Sequence, residues 1–234
     1  MRYLIALLLF TSYSLSAQSD FEKAEKLYKL ERYSMAKPLF ERALAENPSD
    51  FKTLEYLGDI QCYFKNWDAA IPYFEKLKNL KPSEANYQYK YGGAMVMKAK
   101  EGNKLKALMM MDDIKAAFER AIAINPRHIE ARWALIEIYI QLPALTGGSE
   151  KKAIHYSDEL LKISPIDGYL SRGRIEEYYE RYRNAEKMYK RAIEVGRSKK
   201  PYQKLADLYK NKLRQPQKAR EVWEQYEKNE VNFK

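Results

Sequence analysis

The sequence predicts an all-α fold, a stack of about six helix pairs, and three observations predict it. The first is composition. Its 234 residues include 20 tyrosines against a background rich in Ala, Leu, Lys and Glu, while Gly and Pro, at 9 each, are too few for the tight turns of an all-β chain. The second is a motif that returns along the chain. The third is a proline that follows the motif in its first four copies and breaks helices, having no N–H to donate.

Other features exclude whole classes. A chain that is 46% hydrophobic and 32% charged is neither a disordered tail, a collagen-like fibre nor a polytopic membrane protein. One cysteine forbids an intramolecular disulfide, and two histidines leave little from which to build a His/Cys metal site. The formal charge is +10 and the isoelectric point about 9.3.

Residues 1–17 read as an address. Arg2 precedes a compact apolar run, Leu4 to Phe10, and a small polar stretch ends at Ala17. That order is the pattern of a secretory signal peptide, and the run is too short to span a bilayer as a helix. Cleavage after about Ala17 is expected, giving a periplasmic protein, with no cysteine at the junction to carry a lipid. Residues 18–234 then form a single domain.

In that domain Ala36, Phe40, Ala43 and Pro48 return as Ala70, Phe74, Leu77 and Pro82. They return again as Ile114, Phe118, Ala121 and Pro126, and then as Ala153, Ser157, Leu160 and Pro165. Ala185, Tyr189 and Ala192 form a fifth copy without proline, and Ala219, Trp223 and Tyr226 a sixth. The first position recurs at spacings of 34, 44, 39, 32 and 34. Upstream lies a second pattern, as in Leu57-Gly58, Tyr91-Gly92 and Leu205-Ala206. This resembles the tetratricopeptide repeat (TPR), a 34-residue helix-turn-helix unit. The resemblance implies a right-handed α-solenoid over roughly residues 18 to 230, each pair burying its apolar stripe against the next. Lys23 and Arg172 stand where leucine is usual, and Ser157 where an aromatic is.

Two units are longer than the repeat, and both extra segments fall between paired helices. The third unit gains ten residues around Met95 to Met111, turning at Gly102-Asn103. The fourth gains five at Leu142 to Ser149, where Pro143 ends a helix, Gly147-Gly148 permits unusual backbone angles and Ser149 suits an N-cap. Equivalent turns project along one edge of such a stack, so the two insertions are expected to touch.

No chemistry of catalysis is legible. Gly92-Gly93 and Gly147-Gly148 lack the partners of a phosphate loop. His128 and His155 are not at a metal-binding spacing and read as surface or helix-end residues, and Cys62 reads as a small buried hydrophobe. Lys199, Lys200 and Lys204 cluster with Arg197, but Lys and Arg alternate with Glu along most helices, the pattern of solvated faces and not of a nucleic-acid interface. No cofactor, nucleic-acid partner or enzymatic activity is expected.

A groove remains. The resemblance implies that the first helices line a concave side, which by register carries Tyr28, then Glu55, Asp59 and Tyr63, then Tyr89 and Val96. Trp133, Glu137 and Ile140 follow, then Arg174, Glu177 and Tyr178. Family members that clamp a C-terminal carboxylate use Lys, Arg and Asn on these faces, and the set here has few of them. Its tyrosines read either as packing between units or as a protein-binding surface. The insertions suggest a second, edge patch: Leu105, Leu108, Met109 and Met110 beside Lys98, Lys100, Lys104 and Lys106, meeting Leu142 and Leu145. It reads either as a docking site or as residues that cover each other. The function expected is a protein- or peptide-binding adaptor of the cell envelope, with binding of anionic envelope surfaces as the alternative.

Overall fold

Small residues and aromatics at fixed intervals dictate how the helices pair. The computed structural model describes residues 19–231 apart from Arg197, and for residues 230–231 the backbone alone; residues 1–17, and with them the expected signal peptide, lie outside the described part. Among the described residues there are twelve α-helices and no strand. They form six antiparallel pairs: α1 (Asp20–Lys29) with α2 (Tyr33–Glu46), α3 (Phe51–Tyr63) with α4 (Trp67–Leu80), and α5 (Ala85–Glu101) with α6 (Lys104–Ile124). Then come α7 (Ile129–Gln141) with α8 (Glu150–Ile163), α9 (Pro165–Tyr178) with α10 (Tyr182–Val195), and α11 (Lys199–Asp207) with α12 (Pro216–Val231). Each helix packs on its sequence neighbours, and α5 also touches α7 as α7 touches α9, so first helices stack on first helices. The chain is an α-solenoid.

The aromatic of each motif locks its own pair. Phe40, Phe74, Phe118 and Tyr189 are all fully buried. In the second unit a Cβ on Gly58 would lie 2.6 Å from the Phe74 ring, and in the fifth a Cβ on Gly173 would lie 2.3 Å from that of Tyr189. Those distances admit no side chain, so glycine is what lets the ring slide between the helices. Ser157 of the fourth unit instead faces the fifth: it donates to the Gly168 carbonyl and accepts from Ser171, so α8 and α9 approach closely across the boundary between units.

Buried clusters follow one another along the stack and share members, Tyr73 between the first two and Trp133 between the last two. The core is therefore one elongated strip, largest around the third and fourth units.

The irregular spacings have local causes. Pro48, Pro82 and Pro126 follow their helices as expected, but Pro165 opens α9, because Ser164 ends α8 and begins α9 at once. That shared cap shortens the repeat to 32. The sixth unit keeps the 34-residue spacing, and α11 continues there into a π turn, Leu208–Lys212. The third insertion is taken up as longer helices, 17 and 21 residues. The fourth forms a 3-10 turn, Ala144–Thr146, followed by Gly147 at φ 94° and by Ser149, whose hydroxyl accepts from the Lys152 N–H.

A candidate partner-binding groove

Each first helix presents its repeat positions to the next unit, and this juxtaposition builds the concave face. Its central feature is a cavity of about 660 Å³ between α3, α5 and α7, roofed from the far end of the array by Lys200 of α11. Five aromatic side chains line it: Trp67, Phe74, Tyr89, Phe118 and Trp133. Val96, Met97 and Ile138 add aliphatic surface.

The carboxylates of this face are engaged by the following unit. Lys90, on α5, places its Nζ 2.7 Å from Glu55 Oε1 and 2.8 Å from Asp59 Oδ2. The Tyr87 hydroxyl also donates to Glu55, at 3.2 Å. Burial raises the Asp59 pKa above the usual carboxylate range, Lys90 only partly offsetting it. Burial works against the Lys90 ammonium too, but Asp59 and Glu55 outweigh it and hold its pKa above that of an ordinary lysine. Farther along, Arg174 forks onto Glu137 at 2.8 and 3.1 Å while its guanidinium lies 5.7 Å from the Tyr178 ring. Trp133 Nε1 donates to Asp167 at 2.9 Å, and Lys200 Nζ lies 5.1 Å from the centre of the Trp133 ring.

Charge is thus largely balanced at the groove wall, and its open surface is aromatic and aliphatic. Cys62 is half-buried against the cavity rather than within the core, and burial pushes its thiol up to about 11, so it stays protonated and a poor nucleophile at neutral pH. His128 is buried and caps α7, its Nδ1 accepting from the Ala131 N–H; His155 is exposed beside Glu159. No group of three or more His, Cys, Asp or Glu able to hold a metal occurs among the described residues.

Residues 14–85 match the family model of the tetratricopeptide repeat. Over that segment the chain is similar to the tetratricopeptide repeat. The array resembles a thermophilic TPR protein of Thermus thermophilus, with 22% identity over 82% of this chain and 97% of that one and a TM-score of 0.62. It also resembles PilW, a type IV pilus biogenesis factor, at 19% identity over 90% and 91% of the two chains (TM-score 0.61). YrrB, described as a TPR protein with an unusual peptide-binding site, is similar at 18% identity over 78% and 87%, with a TM-score of 0.55. Among curated proteins none matches. At these identities the likeness is one of fold.

Of the twelve groove residues expected from repeat register, Asp59, Tyr89, Val96, Trp133 and Glu137 line the cavity, and Glu177 accepts from the buried Tyr189 hydroxyl. Glu55 and Arg174 stand behind them as ion-pair partners, and Tyr178 is exposed beside Arg174. Tyr28 packs instead into an aromatic cluster at the first unit, its ring 4.6 Å from that of Tyr56. Tyr63 is exposed at the turn edge against Tyr33 and Phe64. Ile140 is a correction: it is buried in the core of the third and fourth units, and Ile138 lines the cavity in its stead, two residues away on the turning face of α7.

The expected scarcity of basic groups is also corrected, since Lys90, Lys100 and Lys200 all line the cavity. Lys90 follows Tyr89 directly and points back to the preceding unit, a direction the one-face register rule skips. A signal for it existed: it lies 35 and 31 residues after Glu55 and Asp59, about one repeat on. Lys200 had no such signal, because only the curvature of the array brings the sixth unit to the fourth. Trp67 was missed because it opens α4, a second helix, and Met97 because it directly follows Val96, off the face that repeat register names.

The insertions come close along the edge, a Cβ on Gly147 lying 3.5 Å from Nζ of Lys115, one turn beyond Met111 on α6. They divide the edge patch in two. Met110, Met111 and Leu142 pack onto the core of the third and fourth units, whereas Leu105, Leu108, Met109 and Leu145 are exposed, together with Lys104.

Proposed function

We propose that the protein is a non-catalytic adaptor of the bacterial cell envelope, exported by residues 1–17 and binding a protein or peptide partner in the concave groove. The observation that carries this reading is the aromatic cavity at Trp133 and Tyr89, whose neighbouring carboxylates are already paired with Lys90 and Arg174. A groove so arranged recognises by burying an apolar side chain. One Leu or Phe seated there is worth roughly 1.5–3 kcal/mol. A clamp for a C-terminal carboxylate would need free cations facing one another; here Lys90 is committed to two carboxylates and Lys200 lies over the Trp133 ring, which leaves Lys100 without a facing partner cation.

Two measurements test the parts separately. Panning a displayed peptide library against the purified protein should select sequences sharing one large apolar residue. Trp133→Ala should weaken the selected peptides at least tenfold while far-ultraviolet circular dichroism is unchanged; peptides unaffected by that change would remove the groove from the account. Mass spectrometry of the protein recovered from its cells should find an N-terminus near Gln18, and a chain beginning at Met1 would remove export.

A further inference from the structure

The exposed apolar side chains of the array are unevenly placed. Among the described residues, the large hydrophobics that face solvent lie along the edge formed by the turns within units, all but Leu80, Leu161, Val195 and the cavity-lining Met97. That edge reaches farthest at the third unit. The helix α6 is seven residues longer than α4, which at 1.5 Å per residue carries its tip roughly 10 Å beyond a plain repeat. On the tip Leu105 is 69% and Met109 77% exposed, and Leu145 of the neighbouring insertion is fully exposed. Leu105, Leu108 and Met109 stand at i, i+3 and i+4, one unpartnered face of a helix.

Charge and size decide what that face meets. Lys100, Lys104 and Lys106 surround it, all exposed and none in an ion pair with a described residue, with Glu101 the carboxylate at the tip. Asp112 lies two turns back along α6, held by Lys115 at 2.8 Å. Four apolar side chains offer a few hundred Å² at most, whereas each partner in a specific protein interface buries roughly 800 Å². A lipid surface needs no such area. A few inserted side chains combine there with cations, and each lysine near an anionic leaflet contributes about a fivefold gain in binding.

We propose that the turn edge of the third and fourth units is a docking surface for an anionic lipid bilayer. Leu105, Met109 and Leu145 enter the acyl boundary while Lys100, Lys104 and Lys106 meet lipid phosphates. Apart from Lys100, which also borders the cavity, the site lies off the groove, so an adaptor held this way keeps its concave face toward solvent and partner.

The test uses the full chain in a Cys62→Ser background, with an environment-sensitive fluorophore on Leu105→Cys or, at the opposite edge, on Leu161→Cys. Vesicles of phosphatidylglycerol should shift the emission of the Leu105 label and leave the Leu161 label unchanged, and vesicles of phosphatidylcholine should shift neither. Lys100→Gln, Lys104→Gln and Lys106→Gln together should weaken the phosphatidylglycerol response roughly a hundredfold, and Trp133→Ala should not alter it. Because the readout is specific to position, membrane attachment through residues 1–17 would not reproduce it. Equal responses at both labels, or none at Leu105, would overturn the proposal. So would a Leu105 label that changes with protein concentration in the absence of lipid, which would show a second copy seated on the face.

Discussion

Lys90 holds two carboxylates with one ammonium, and the consequence is a groove wall whose charge depends on a single side chain. Replacing it by Met leaves Glu55 and Asp59 side by side and largely shielded from water. We expect Lys90→Met to cost about 2–4 kcal/mol at neutral pH, by analogy with breaking a buried ion pair from one side. The pH dependence follows from the directions of the shifts. The raised pKa of Lys90 gives stability that is complete below the ordinary lysine pKa and is lost as pH rises through the folded value. The raised Asp59 carboxyl works in the other sense: the folded state holds that proton more tightly, so its ionisation costs stability as pH rises through the carboxylate range. Without Lys90 that cost grows, and the variant should regain part of its deficit in mildly acid buffer. Urea titrations at both pH values check this, and a deficit equal at both would show that the cluster is not coupled. Glu55 and Asp59 were legible in the sequence as members of one helix face. Their pairing was not, because a register rule names the face and not the side chain arriving from the next unit.

At the scale of the element, what the sequence predicts best is what depends on sequence-local chemistry. The small residue and aromatic of each unit, the prolines after the second helices and the Gly147 and Ser149 turn all follow from steric or capping rules within a few residues. The departures arise where two elements compete for the same residues. Ser164 serves two helices at once, ending α8 and opening α9. Packing makes a paired prediction for glycines in first helices. Gly173→Ala would drive a methyl group into the Tyr189 ring and should cost about 1–3 kcal/mol. Gly93→Ala, with nothing within 4 Å of the new methyl, should instead raise stability by about 0.5–1 kcal/mol through helix propensity alone. Thermal melts of the two variants decide it; equal destabilisation would mean that the packing of first helices is not as described.

For the whole molecule, the array is a strip of shared cores, and cutting it in the middle should matter most. Phe74→Ala, which empties the interface of the second and third units, should cost about 3–5 kcal/mol. An elongated stack should also exceed the radius of gyration of roughly 17 Å expected for a compact chain of this length, a value small-angle scattering measures directly. The number of units was legible from the repeat, whereas the curvature that carries Lys200 over Trp133 was not, since it sums small rotations over several interfaces. That curvature closes the cavity, and the cavity is where the account places partner recognition. The most direct measurement is photo-crosslinking in intact envelopes, with a photoreactive amino acid in place of Met97 at the cavity or of Leu80 at the opposite edge. The account predicts one discrete protein adduct from position 97, absent from position 80 and lost on adding Trp133→Ala. Adducts of the same pattern from both positions, or an adduct at 97 indifferent to Trp133→Ala, would contradict it.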